Sequence, residues 1–218
     1  RETIEAFLRT AAEGIGRCGT GGNWGSWHLS AVGVVGYAIH APDLIDWATE
    51  HFKQQIRDQL GDDGLWPESV HTYHFFPLRA FVAFAEAAWH TGTDLYHWEG
   101  KPGKSLMSMF TAPLHYGYPD LRLPAINDGW FEAFLPLDQY ELAYARTGDP
   151  QIGWALRHGY EIQGATRGGI WAFLKGDGLE CECPRPEFGS INYPVLGIAT
   201  LRSDDKSMLT FDYGRHLG

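Results

Sequence analysis

Cysteine is scarce, with only Cys18, Cys181 and Cys183 in 218 residues. The three fit no zinc-type spacing. Cys181 and Cys183 stand one residue apart, a poor arrangement for a disulfide, so all three read as structural side chains. Basic residues are also under-represented: 17 Lys and Arg face 27 Asp and Glu, for a formal net charge of −10. That balance argues against a nucleic-acid partner, because phosphate binding needs basic surface. An acidic ligand would have to be met by a local set of donors rather than by a global field. Long apolar runs are missing as well. The longest, residues 32–39 and 81–89, fall far short of the ~20 residues that span a bilayer, so no transmembrane segment or membrane partner is expected. No initiating methionine or leader is visible, and the start at Arg1 suggests a trimmed end.

Aromatic residues, by contrast, are plentiful: 9 Trp, 10 Tyr and 12 Phe. Sugar rings stack on aromatic faces, so this content is compatible with carbohydrate binding. For any single tryptophan, filling a core is an equally good account. Hydrophobic residues at 44% and charged residues at 20% are ordinary for a soluble globular chain. The length suffices for one large domain or one and a half.

Up to about residue 160 the apolar pattern is helical. Residues 3–17 are amphipathic and end at a glycine-rich break. Leu29, Val32, Val35 and Ile39 recur at helical spacing. Ile45, Ala48, Phe52, Ile56 and Leu60 form a stripe started by Pro42-Asp43 and stopped by Gly61. Residues 78–89 are apolar on nearly every face, the mark of a helix buried on both sides. Weaker helical patterns cover 105–115, 131–146 and 150–160. After Gly164 the runs 170–174, 193–201 and 208–213 are short and β-prone, separated by Gly, Pro, Asp and Ser clusters. Strands are expected only there. The chain thus reads as a helical domain over 1–164, followed over 165–218 by the first strands of an antiparallel β domain. An unfinished sheet at the end is a liability, so the parent protein is expected to continue. Alternation of amphipathic and all-apolar helices is what an α/α toroid requires, and a plain helical bundle would look similar.

Two clusters could carry chemistry. Gly21-Gly-Asn-Trp-Gly-Ser-Trp-His28 lies ahead of an apolar helix. Asn23 could be the N-cap of that helix, but capping does not explain Trp24, Trp27 and His28 within one turn of it. Asp62-Asp-Gly-Leu-Trp-Pro-Glu-Ser-Val-His-Thr-Tyr-His74 leads into the most buried helix. Placing Glu68, His71, Tyr73 and His74 at a helix entrance costs free energy unless each is hydrogen-bonded; a satisfied structural network is the plain alternative. A weaker cluster, Leu123-Pro-Ala-Ile-Asn-Asp-Gly-Trp130, reads first as a turn. Its Asn127, Asp128 and Trp130 could face the same opening.

These clusters, in this order, resemble the heparinase II/III-like and alginate lyase superfamily of polysaccharide lyases. The likeness includes Asn23, Trp24 and His28, the 63–74 element, the turn at Pro124 and the run 193–216. It implies a mainly α fold, an incomplete α/α toroid followed by antiparallel β-sandwich sheets. It further implies β-elimination on a uronic-acid-containing polysaccharide, of alginate or glycosaminoglycan type, by a secreted or periplasmic enzyme. In such enzymes an Asn or His neutralises the uronate carboxylate, which points to Asn23 and His28. A Tyr serves as base, acid or both, which points to Tyr73. Trp24, Glu68, His71, His74, Asn127 and Trp130 are the implied substrate-binding residues. Asn23, His28 and Tyr73 should open into one cleft. Family members continue past the last strand into a His-Gly-His segment with zinc ligands beyond. No cofactor or metal site is therefore expected within these residues, and the fragment is expected to lack part of the catalytic set. A glycoside hydrolase using Glu68 and Asp128 and a non-catalytic sugar-binding domain using Trp24, Trp27, Trp66 and Trp130 are the competing assignments.

Overall fold

A computed structural model describes residues 2–68, 71–126, 129–164, 167–175, 179, 183–204 and 206–214. The protein is mainly helical, with a few antiparallel strands. It divides into two compact units, one of residues 1–60 and 76–106, the other of 61–75 and 107–218.

The first unit holds α1 (Glu2–Gly16), α2 (Gly22–Ala38), α3 (Pro42–Asp58) and, from Phe76 onward, α4 (Thr72–Trp89). Pro42 begins α3 at a position where a missing N–H costs nothing. The stripe seen in the sequence is the buried face of α3: Ala48, Phe52, Ile56 and Leu60 are all enclosed. Phe52 meets Phe81 edge-on at 5.4 Å and Phe84 at 6.0 Å, so α3 and α4 share one aromatic core. Phe81, Val82 and Phe84 are buried, as expected of a helix apolar on nearly every face. Close approach of α2 depends on Gly33. A Cβ there would lie 2.2 Å from the Phe84 ring and 2.8 Å from the Ala48 side chain.

β1 (Glu99–Lys101) and β2 (Lys104–Ser105) form an antiparallel hairpin in this unit. This corrects the expectation that strands occur only after Gly164. The turn is made by Pro102-Gly103, with Gly103 at φ 76°, a conformation that glycine adopts without strain. Runs of two or three residues are too short to show a period of two.

The second unit contains α5 (Leu106–Tyr116), α6 (Leu137–Thr147), α7 (Pro150–Ile162) and α8 (Ile170–Lys175). A three-stranded antiparallel sheet follows, in the order β3 (Ile191–Tyr193), β4 (Ile198–Arg202), β5 (Met208–Asp212). Gly148, at φ 62°, ends α6, and the Asp149 carboxylate accepts the N–H groups of Gln151 and Ile152 to start α7. The sheet buries Tyr193, Ile198 and Thr200 and leaves Leu201, Leu209 and Phe211 exposed. Tyr193 Oη donates to the Ala112 carbonyl at 3.0 Å, and Arg202 donates to the carbonyls of His115 and Gly117, which ties the sheet to α5.

Three local expectations are corrected here. Residues 170–174, expected as a strand, are helical and pack against α6. A short apolar run cannot be assigned from periodicity alone, and Ile170, Phe173 and Leu174 stay exposed on this helix. Residues 131–136 do not join the helix that begins at Leu137. Leu123 N–H donates to Ala133 O and Leu135 N–H to Leu121 O, pairing this segment with 121–123 instead. Cys183 is disulfide-bonded, and Cys18 is a free thiol.

Candidate functional site

The loop before α2 is built by α3. Gln59 Oε1 accepts the Gly22 N–H at 2.7 Å, and the Gln55 side-chain amide donates to the carbonyls of Thr20 and Gly22. The chain passes so closely that a Cβ on Gly25 would sit 2.3 Å from the Thr20 carbonyl carbon. Gly21, not Asn23, is the N-cap of α2, and no side chain caps this helix. Asn23 lies two positions further in, buried in the first turn. Trp24 is 71% exposed and meets Phe76 edge-on, while Trp27 packs against the same ring at 5.3 Å. His28 is half-buried, and its Nδ1 lies 2.9 Å from Gly19 O. A carbonyl can only accept, so Nδ1 carries the proton. The Nε2 of the neutral ring is then an acceptor, and only the doubly protonated ring donates from Nε2.

In the second unit, residues 61–68 form a turn held by polar contacts to its own backbone and to His74 and Val195. Asp63 accepts the N–H groups of Leu65 and Val195, and burial pushes its carboxyl pKa up. Trp66 is enclosed; its backbone N–H donates to His74 Nδ1 at 3.2 Å, and its indole N–H donates to Glu68 Oε1 at 3.4 Å. His74 Nε2 lies 2.8 Å from Met109 O. Both ring nitrogens are therefore committed to backbone, which fixes the neutral Nε2–H tautomer. The ring is fully buried, and this desolvation lowers its pKa to about 4. His74 was expected to line the opening; the fold instead encloses it, with no nitrogen left for a ligand.

Tyr73, next to it, is half-buried, and no described residue hydrogen-bonds its hydroxyl. His71 is half-buried beside Thr72 Oγ1 at 3.0 Å, and burial lowers its pKa. Glu68 is exposed. Trp130 is 69% exposed. Asn127 and Asp128 lie outside the described residues. Asn23, Trp24 and His28 belong to the first unit, and Glu68, His71, Tyr73 and Trp130 to the second.

Sequence reasoning missed a cavity of about 270 Å³ in the second unit, lined by Tyr118, Arg122, Leu123, Ala125, Phe131 and Glu132. The adjacent exposed aromatics Trp130 and Phe131 were the one available signal. No group of three or more His, Cys, Asp or Glu among the described residues is placed to hold a metal ion. No described helix is long and apolar enough to cross a membrane.

A family model described as alginate lyase matches residues 1–120, more than half of the chain. The matched stretch contains both the 21–28 and the 62–74 clusters. No curated protein and no solved structure matches the chain.

Proposed function

The chain belongs to the alginate lyase family, and on that premise we propose that it cleaves a uronic-acid-containing polysaccharide, of alginate or glycosaminoglycan type, by β-elimination. The C5 proton of a uronate is removed, the bond to the 4-oxygen breaks, and a C4–C5 double bond remains on the new non-reducing end. The proton is acidic enough only when the neighbouring carboxylate is neutralised, so that charge developing in the enolate-like intermediate is met by donors. The proposal gives that task to Asn23 and His28. Gly19 O holds the His28 Nδ1–H and so orients the ring for that task. Tyr73 moves the proton: its phenolate accepts it from C5, and the phenol delivers it to the leaving oxygen.

The family match across both clusters carries this reading. Among the described residues, the Tyr73 hydroxyl has no hydrogen-bond partner and His28 is bonded through Nδ1 alone, and both observations support it. Trp24 and Trp130, both exposed, are assigned as stacking surfaces, with Glu68 and His71 as polar contacts. The incomplete α/α toroid belongs to the proposal too. It is supported by amphipathic α1 and α3 beside α2 and α4, whose residues are apolar on most faces. A secreted or periplasmic location follows from the polymeric substrate.

The test is a panel of uronans assayed for the ultraviolet-absorbing unsaturated product. Tyr73→Phe should lower kcat by on the order of 10²-fold with little change in KM, since only a transition-state interaction is lost. Near-normal turnover in that variant would remove Tyr73 from proton transfer. Products with saturated ends would replace elimination by hydrolysis.

A further inference from the structure

The cavity at Tyr118, Arg122, Phe131 and Glu132 is separate from every residue given a catalytic role above, and it is a built feature. Its two walls, around 118–123 and 131–135, are joined by the Arg122↔Phe134 bridge and the hydrogen bonds between Leu123 and Ala133 and between Leu135 and Leu121. Each wall also contains a non-glycine residue in the left-handed region, Leu121 at φ 60° and Glu132 at φ 62°. Such conformations cost free energy and persist where surrounding structure imposes them, which in many proteins is at ligand clamps. Phe131, which lines the cavity, is 84% exposed, and its sequence neighbour Trp130 is 69% exposed. An exposed apolar patch of this kind marks an interaction site.

The polar groups decide what the cavity takes. Arg122 Nε donates to Asp120 at 2.6 Å, while its side chain remains 43% exposed. Asp120 offsets the guanidinium charge, and Glu132 adds a second carboxylate, so the pocket has no excess positive charge with which to attract an anion. What remains is a fork of N–H donors, a carboxylate acceptor, a phenol and an aromatic face. That combination matches the alternating donor and acceptor hydroxyls and the apolar C–H face of a pyranose ring. The volume of about 270 Å³ lies just under the ~300–1,000 Å³ of drug-sized ligand sites and suits a single ring.

From this geometry we infer that the pocket lined by Tyr118, Arg122, Phe131 and Glu132 is a sugar-binding subsite that reads ring hydroxyls rather than the uronate carboxylate. The inference rests on the proposed polysaccharide substrate. Within that frame, the pocket holds a sugar unit other than the one undergoing elimination, since it supplies no charge to stabilise the enolate.

The test is calorimetric titration of the protein with a mannuronate hexasaccharide and with its carboxyl-reduced, neutral counterpart. The neutral hexasaccharide should bind, and Phe131→Ala should weaken its binding by about tenfold, the upper range for loss of one aromatic contact. Glu132→Gln should weaken it by several-fold at unchanged shape. Both side chains are exposed, so neither change threatens the fold. Failure of the neutral sugar to bind, or an affinity indifferent to both substitutions, would overturn the subsite. So would an effect confined to the acidic hexasaccharide, since that would mean carboxylate recognition. Assaying the same substitutions in the full-length parent for unsaturated product separates the two readings. Lack of elimination with the Phe131 effect intact removes the lyase proposal alone, and elimination with no Phe131 effect removes the subsite alone.

Discussion

His28 and His74 occupy comparable places in the sequence, each closing a tryptophan-bearing polar run near the start of an apolar helix. The fold treats them in opposite ways. His74 is enclosed, takes a hydrogen bond from Trp66 N–H, gives one to Met109 O, and is held neutral by desolvation. His28 is half-buried and, among the described residues, bonded through Nδ1 alone. A buried ring whose hydrogen bonds are saturated is part of the scaffold. A ring with one nitrogen fixed is oriented, and its other nitrogen keeps its hydrogen-bonding capacity. The difference teaches that residue type and local pattern nominate a chemical group, while its unspent hydrogen-bonding capacity decides whether it can act.

The contrast can be attacked at three points. Replacing His74 with Ala should have the largest effect, roughly 3–5 kcal/mol of stability in denaturant unfolding. It opens a cavity and strands the buried Trp66 N–H and Met109 carbonyl. A cost under about 1 kcal/mol would mean that His74 is not the keystone of its turn. Acid should come next. The unfolded chain protonates this histidine near its ordinary pKa of 6.5, whereas the folded ring resists until about 4. Between those values the unfolded state binds the extra proton, so stability falls as pH is lowered through the window, by roughly 3 kcal/mol in all. Thermal unfolding from pH 7 to 4 should show this loss, and a His74→Gln variant should show a flatter slope. His28→Ala should cost the least, about 1 kcal/mol, the net worth of one hydrogen bond. If it destabilises as much as His74→Ala, the two histidines have the same role and the contrast fails.

The parts of the fold that were legible in the sequence are those where one buried face repeats. The α3 stripe of Ala48, Phe52 and Ile56 is enclosed, the apolar run of α4 is buried, and the 208–213 run contains β5. The misjudged elements are all short. The 99–105 hairpin has too few residues to show a period, and 170–174 is an apolar run too short for its period to tell helix from strand. Of the candidate site, the two clusters were visible as unusual concentrations of Trp, His and Tyr near helix starts. The separation of His74 from its neighbours was not visible, because it depends on a carbonyl 35 positions away. The Arg122 pocket was hidden for the same reason, since its walls come from segments bridged across a turn.

The sequence by itself therefore determined the amphipathic and all-apolar helices, the β-prone tail and the family to which residues 1–120 belong. Those are properties of nearest neighbours and of hydrophobic period, which a chain carries before it folds. Tertiary structure alone decided which glycine caps α2, which histidine is spent on the backbone, and where Phe131 stands in solvent. Each of these depends on a donor, an acceptor or a surface brought in from a distant part of the chain. Hydrogen bonding and burial act on proximity in space, and composition records none of it.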